Sequence, residues 1–539
     1  MVVPTAIDEG VPMTLSQGQA ATEIAAAAFK DLVGLLGVEA VLSEDASQRE
    51  YGDPFTFAGW HSRRIAATVL PSSVAEVQEI VRIAGRHGFP LWVISQGRNN
   101  AYGGAAPRVP GSVLVSLRRM NRVLEVDEEH AVARVEPGVR FFDLYDHLRT
   151  KGHRLWSSAP DLGWGSVIGN ALEHGVGYTV HGDHAARLCG LEVVLPDGEV
   201  IRTGMGAMEG NRSWNLRSRG FGSTMDGLFG QSNLGIVTKA GVWMMPEPES
   251  YLAGSIRLPR RQDLPALIEA IRPLLLEGTM QNPPAIGHPA FIAGLVPGAP
   301  SRREVHDGPG PIPEATAMEL ARRLDVGRWT MRFALYGTGP VVAARFERVR
   351  RAVSHIEGVR VDGETLPGHA VHELARDQNA QVQAGIPSLD LMKALDWYSG
   401  PGGGHIDFSV VAPLKGRDIV RLHDLLDGWM SGTGLDFDCA LILGQRYAIN
   451  VMQIYFHPED EATVARVWEL YPQLIRAAAA EGFALYRTHL DFMDIGADQF
   501  DAGGHAQLRF HERLKDALDP HGVLAPGKQG VWPKSYRSG

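Results

Sequence analysis

Up to about residue 245 the apolar positions of the chain fall in short runs broken by glycine, and from about 246 to 490 they recur every three or four residues over long stretches. The first pattern predicts short strands and turns, the second amphipathic helices. "AATVLP" from Ala66 and "PLWVIS" are two of the short runs. Between them, "SVAEVQEIVRIAGRHG" puts Val77, Ile80, Val81 and Ala84 on one helical face. Ser73 and Glu76 predict a capping box at its start, and Gly88 predicts its end. Together these segments predict a βαβ unit, and "SQGRNNAYGG" (95–104) is the loop that leaves it. "GSVLVSL", "RVLEVD" and "HAVARVEPG" follow as further strands.

In the second region, "DLPALIEAIRPLLLEG", "VVAARFERVRRAVSHIEG", "RDIVRLHDLLDGWMSG" and "EDEATVARVWELYPQLIRAAAAEG" read as helices. They alternate with the strands "RFALYG", "HIDFSVVAP" and "ALILGQ". That rhythm predicts an antiparallel sheet with helices on one side. "PSRREVHDGPGPIPEATA" predicts a surface excursion. The fold class expected is α+β, with one unit over residues 20–245, a second over 246–499, and a C-terminal tail, 500–539, that ends in a helix and a glycine-rich stretch.

Composition narrows the class of function. A chain of 539 residues is too long for one core, and 44% hydrophobic with 21% charged residues is ordinary globular usage. A net charge of −10 argues against nucleic acid as the partner, because binding phosphates needs a basic surface. No apolar run is long enough to span a membrane. "MVVPTAIDEGVP" has neither a basic n-region nor an apolar h-region, so no signal peptide is expected and the location expected is cytoplasmic. Two cysteines, Cys189 and Cys439, make no disulfide framework.

Among candidate motifs, "GVLAPGKQG" approaches a P-loop but has Gln529 in place of the hydroxyl residue that holds magnesium, with Pro526 removing a backbone donor. No GxGxxG follows an early strand, which disfavours a Rossmann site. "HGDHAARLC" gathers His181, Asp183, His184 and Cys189 without the spacing of a zinc site, so a polar turn is expected and no metal. Four glycine clusters carry more weight: residues 97–104, 161–170, 174–184 and 230–241. Glycine allows close backbone approach, and successive N–H groups make nests for anions. Four such loops in one unit suggest a cradle for an extended anionic cofactor.

"GRNNAYGGAAPRVPGSV", "VEPGVRFFDLYDHL", "PDLGWGSVIGNALEHGVGYTVHGDH", "GQSNLGIVTK", "YRTH" and "DPHGVLAPGKQGVW" together resemble the vanillyl-alcohol oxidase and 4-cresol dehydrogenase family of FAD enzymes, from about residue 60 to the end. The resemblance implies a two-subdomain FAD-binding unit with a cap over the isoalloxazine ring, and a tail that returns to the FAD unit. It implies oxidation of 4-alkyl-, 4-allyl- or 4-hydroxymethyl-phenols by hydride transfer from the benzylic carbon to flavin N5, through a p-quinone methide. Tyr102, Tyr486 and Arg487 would bind the substrate as phenolate, and Asp161 would sit near N5 and act as a base for water. Hydride leaves more readily when the para oxygen is anionic, and two hydroxyls and a guanidinium stabilise that anion.

Residues implied to hold FAD are Gly97, Arg98, Asn99, Asn100, Gly103, Gly104, Pro160, Gly163, Ser166, Gly169, Asn170, Gly175, Gly177, Tyr178, Gly182, Gly235, Ile236, Val237 and Lys528. His405 would attach it covalently, since Leu395 stands where tyrosyl-linked relatives carry their tyrosine. His61 is a weaker helper in that attachment and is not counted in the site. Asp407, Ser409 and Ala440 are expected in the substrate pocket. Asp407 and Ala440 depart from the family pattern, and so does "GQRYAINV" (444–451). The acceptor implied is dioxygen, giving hydrogen peroxide. The alternative is a dehydrogenase subunit passing electrons to a cytochrome or copper protein, and a third reading is a non-catalytic FAD-binding protein. A homodimer or larger homo-oligomer is expected.

Overall fold

The computed structural model describes residues 26–55, 63–375 and 377–537. Strands Ile65–Val69, Ser112–Ser116 and Leu91–Ile94 lie in that order and run parallel, with Val41–Leu42 antiparallel at the outer edge. Ser112–Ser116 therefore inserts between the two strands expected to be neighbours. All five of its residues are buried, and a strand covered on both faces belongs in the middle of a sheet. Helix Val74–His87 makes the crossover and buries Val77, Ile80, Val81 and Ala84, the expected face. The Ser73 hydroxyl accepts the Glu76 N–H at 3.2 Å, and Gly88 ends the helix at φ 72°. The other half of the expected box is displaced by one residue: Glu76 accepts the Ser72 N–H at 2.6 Å rather than that of Ser73.

A second, antiparallel sheet runs Val123–Asp127, Val132–Val135, Ile236–Trp243, Leu188–Val194, Val200–Arg202. Its core gathers Val135, Leu191, Val193 and Ala240 with Phe141 and Leu144 of helix Phe141–Lys151. The chain leaves these sheets after Met245–Pro246 and enters a third at Ser250.

That third sheet has eight antiparallel strands, in the order Arg360–Pro367, Ser250–Leu258, Trp329–Gly337, Ala285–Gly287, Asp436–Leu443, Tyr447–Phe456, Gly404–Pro413, Ala484–Arg487. Its helices include Leu264–Leu276, Gly416–Met430 and Glu461–Ala480, whose apolar faces meet Phe408, Leu441 and Met452 in one core. Each fully buried side chain of this kind contributes about 1.5–3 kcal/mol. Side chains alternate between the faces of a strand. Ile406, Phe408 and Val410 therefore enter the helix-covered core, while His405, Asp407 and Ser409 point the other way, to the face that carries the site.

The C-terminal helix Ala502–Leu518 is bent at Gly503, Gly504 and His505, all with φ near 62°. Beyond it the chain pairs with the first sheet: the Leu91 N–H donates to Val523 O and the Ala525 N–H to Leu91 O, both at 2.8 Å. Among the described residues, no helix is long and apolar enough to cross a membrane.

Candidate active site

A cavity of about 420 Å³ opens between the first two sheets, the eight-stranded sheet and the tail. The loop after Leu91–Ile94 forms one wall. Gly97 (φ 67°), Gly103 (φ 102°) and Gly104 (φ 61°) adopt left-handed backbone there, which glycine alone takes without steric cost. Gly97, Arg98, Asn99, Asn100, Tyr102 and Gly104 line the cavity. Among the described residues, no acceptor faces the N–H groups of Gly97, Arg98 and Asn99. The Arg98 guanidinium lies 5.6 Å from the Trp164 ring.

Pro160, Asp161, Ser166, Gly169, Asn170 and Gly175 continue the wall, and Gly235, Ile236 and Val237 close it. The Ser166 hydroxyl caps helix Val167–Leu172, accepting the Gly169 N–H at 2.9 Å and donating to Pro137 O at 2.6 Å. A Cβ at Gly169 would come within 2.3 Å of Ser95 Oγ, so the loop and this helix can approach only with glycine there. From the opposite side come His405, Asp407, Tyr486 and Arg487, and from the tail Lys528.

Register in the eight-stranded sheet positions the cap side chains. Arg487 opposes Ser409, Ser409 opposes Val451, and Val451 opposes Ala440, so the four share one cross-strand row. Asp407 and Gln453 form the next row, His405 and Tyr455 the one after. The Arg487 guanidinium lies 4.1 Å from the centre of the Tyr102 ring and donates to Asn99 Oδ1. Tyr102 Oη and Ser409 Oγ are 3.1 Å apart. Burial, then the nearby Tyr486 and Asp407, pushes the Tyr102 hydroxyl well above its usual range, so it stays a neutral donor. Burial would lower the pKa of Arg487, but Tyr102, Tyr486, Glu173 and Asp407 outweigh it and hold the guanidinium charged. Two hydroxyls and one cation thus converge on a single region of the cavity, a set of donors for an oxyanion.

His405 is half-buried, and its Nε2 lies 3.3 Å from Asp407 Oδ1 while its Nδ1 has no partner among the described residues. Burial lowers its pKa, leaving a neutral imidazole with one nitrogen lone pair unused. Asp161 is more tightly held than expected: Tyr178 donates to Oδ2, and Arg332 and Gln378 each donate to Oδ1 at 2.8 Å. These three donors, one of them a guanidinium, occupy both oxygens and fix the carboxylate in place. Lys528 is ion-paired with Glu173, so the charge it brings to the cavity is matched by a carboxylate.

Several expected cofactor residues do not line the cavity. Gly103, Gly163, Gly177, Tyr178 and Gly182 lie outside its wall, and their contacts give another reason for their identity. A Cβ at Gly103 would meet Leu490 at 2.0 Å, at Gly163 Pro387 at 2.5 Å, at Gly177 His184 at 2.3 Å, and at Gly182 Pro283 at 2.4 Å. At those glycines the absence of a side chain lets neighbouring chain segments pack closely. Ser409 and Ala440 also stand off the wall, Ala440 beside the lining residues Ile442 and Val451. The expected polar turn at 181–189 is largely interior: His184, Arg187 and Cys189 are buried, and His184 bonds Asn170 and Ser158. Cys189 and Cys439 are free thiols. His61 lies outside the described residues. Arg332 and Gln378 were not anticipated, because they reach the site only by non-local pairing with Asp161, and neither were Glu173 and Gln453, which line the cavity.

The cavity brings together loop N–H groups without protein acceptors and an imidazole nitrogen without a partner among the described residues. Residues 65–204 match the model of an FAD binding domain, and residues 440–529 that of the C-terminal domain of FAD linked oxidases. The hydroxylating 4-cresol dehydrogenase flavoprotein subunit of Pseudomonas putida is 31% identical over 468 residues, covering 86% of this chain and 88% of that one. The 1'-carboxy-chondrochloren decarboxylase of Chondromyces crocatus is 30% identical over 560 residues, 95% and 98% of the two chains. Among solved structures, 4-ethylphenol oxidase from Gulosibacter chungangensis superposes with a TM-score of 0.90 at 36% identity, over 97% of this chain and 99% of that one. For p-cresol methylhydroxylase the TM-score is 0.87 at 29% identity, over 94% and 96%. Sequence and architecture agree over nearly the whole length, and the chain belongs to the vanillyl-alcohol oxidase and 4-cresol dehydrogenase family of FAD-linked oxidoreductases.

Proposed function

We propose that this enzyme oxidises para-substituted phenols at the benzylic carbon, using FAD attached to His405. The convergence of Tyr102, Tyr486 and Arg487 on one region of the cavity, from facing walls, carries the reading. FAD, when bound, supplies the two-electron acceptor for hydride. The residues near it do the rest. Arg487 and the two tyrosine hydroxyls bind the phenol oxygen and favour its anion. The anion's electrons then stabilise the p-quinone methide left when hydride departs, which takes up water or loses a proton. The neutral His405 imidazole offers its unpartnered nitrogen to the flavin methyl group. Asp161, held by Arg332, would act by its position near the cofactor.

Dioxygen is the acceptor favoured, on the 36% identity to 4-ethylphenol oxidase. The 31% identity to a flavoprotein subunit supports the second reading, in which electrons pass to a cytochrome or copper protein. The deciding measurement is stopped flow: the enzyme is reduced anaerobically with 4-ethylphenol and mixed with air-saturated buffer. Prompt reoxidation with peroxide release supports the oxidase. Reoxidation over many minutes, beside rapid reaction with cytochrome c, supports the dehydrogenase. No reduction by any para-substituted phenol refutes both.

The covalent link is tested separately. Acid-precipitated enzyme should remain yellow after washing, and His405→Ala should release its flavin under the same treatment. A colourless wild-type pellet refutes the link.

A further inference from the structure

Asp407 puts a carboxylate where the proposed substrate ring would lie, and its surroundings leave that carboxylate short of donors. It is 8% exposed and lines the cavity. It stands between Ser409, beside the hydroxyl of Tyr102, and His405, one two-residue repeat from each, about 7 Å along the strand. Among the described residues, both of its side-chain contacts fall on Oδ1 and both are long: His405 Nε2 at 3.3 Å and Gln453 Nε2 at 3.4 Å. Oδ2 is left to the cavity. A carboxylate has about four acceptor sites, so this one is far from saturated.

Its neighbour is held in a fixed orientation. Tyr455 Oη donates to Gln453 Oε1 at 3.0 Å, which turns the Gln453 amide nitrogen toward Asp407. Tyr455 in turn stacks on Tyr398, with ring centres 4.0 Å apart and planes 6° from parallel. Apolar Ile442, Val451, Met392 and Leu395 also line the cavity. A simple 4-alkylphenol would displace water from Asp407 and return no donor, and a desolvated acceptor without a partner is costly. A phenol with a second donor would satisfy it.

We propose that Asp407, oriented by Gln453 and Tyr455, selects para-substituted phenols that carry a further hydrogen-bond donor, a ring hydroxyl or a hydroxyl or ammonium group on the side chain. The inference rests on the reading of the site as a phenol-oxidising one. Sites built to bond a substrate hydroxyl discriminate strongly against analogues that lack it.

The experiment compares kcat/KM for 4-ethylphenol, 4-ethylcatechol, 4-(2-hydroxyethyl)phenol and 4-(2-aminoethyl)phenol in the wild type, Asp407→Leu and Gln453→Leu. Wild-type enzyme should favour at least one donor-bearing phenol over 4-ethylphenol by about tenfold or more. Which of the three it is separates the ring position from the side-chain position. Asp407→Leu should reverse that ratio, and Gln453→Leu should weaken it. Bound-flavin absorbance reports folding of the variants, and Asp407→Asn, which keeps the shape, should give an intermediate ratio if leucine prevents folding. A wild type with equal preference for all four, or a ratio that Asp407→Leu leaves unchanged, overturns the proposal while leaving phenol oxidation standing. Failure of every phenol to reduce the flavin overturns both together.

Discussion

Replacing Arg487 with alanine should slow flavin reduction by 4-ethylphenol at least about a hundredfold, the scale of losing one charged donor aimed at developing charge. The guanidinium is the only cation placed against both Tyr102 and the row that carries Ser409 among the described residues of this wall. Tyr102 and Tyr486 would remain, but a neutral hydroxyl stabilises an oxyanion less than a charge-assisted donor does. Arg487→Lys should recover only part of the rate, because an ammonium keeps the charge yet cannot lie flat over the Tyr102 ring or reach Asn99 in the same geometry. Anaerobic stopped flow at the flavin absorbance reads the step directly. The methyl ether of the same phenol should reduce neither enzyme, since it cannot ionise. Equal reduction by phenol and ether, or an Arg487→Ala rate within a few-fold of wild type, would refute the phenolate role.

The largest loss of stability should come from Lys515→Met, about 3–5 kcal/mol, the usual result of removing one partner from a buried ion pair. Lys515 is 0% exposed, and its Nζ bonds Asp519 Oδ2 at 2.7 Å, Asn233 O at 2.7 Å and Leu524 O at 2.6 Å. Asp519 also accepts the N–H groups of Val523 and Leu524, both at 2.8 Å. That network holds residues 523–525 beside Leu91 and so fixes the base from which Lys528 enters the site. Methionine fills the volume but strands the Asp519 charge. Urea unfolding should show a lowered midpoint, with flavin released early in the transition. Adding Asp519→Asn should restore part of the loss, because the stranded charge is then gone. An unchanged midpoint in Lys515→Met would mean that the pair contributes nothing to stability.

Much of this protein was legible from local pattern. Helix Val74–His87 follows from its apolar period, its serine cap and Gly88, and strand Gly404–Pro413 from alternation alone. The loop at 95–104 announced itself by glycines that the backbone does hold at positive φ, and the resemblance of its motifs indicated the family and the cofactor. Such features depend on residues a few positions apart, which is the range over which sequence dictates conformation.

The tertiary structure alone decided which partners these residues meet. It placed Ser112–Ser116 between two strands that the chain order makes neighbours. It set Arg332 and Gln378 on Asp161, fixing that carboxylate, and it paired Lys528 with Glu173. It gave Gly177 and Gly182 to internal packing, although their composition was that of a ligand loop. It also set the register that brings Asp407 opposite Gln453 and Arg487 opposite Ser409. Register is a property of two strands at once, and a shift of one residue would send every side chain to the other face. No single segment encodes it; the packing of the whole sheet does.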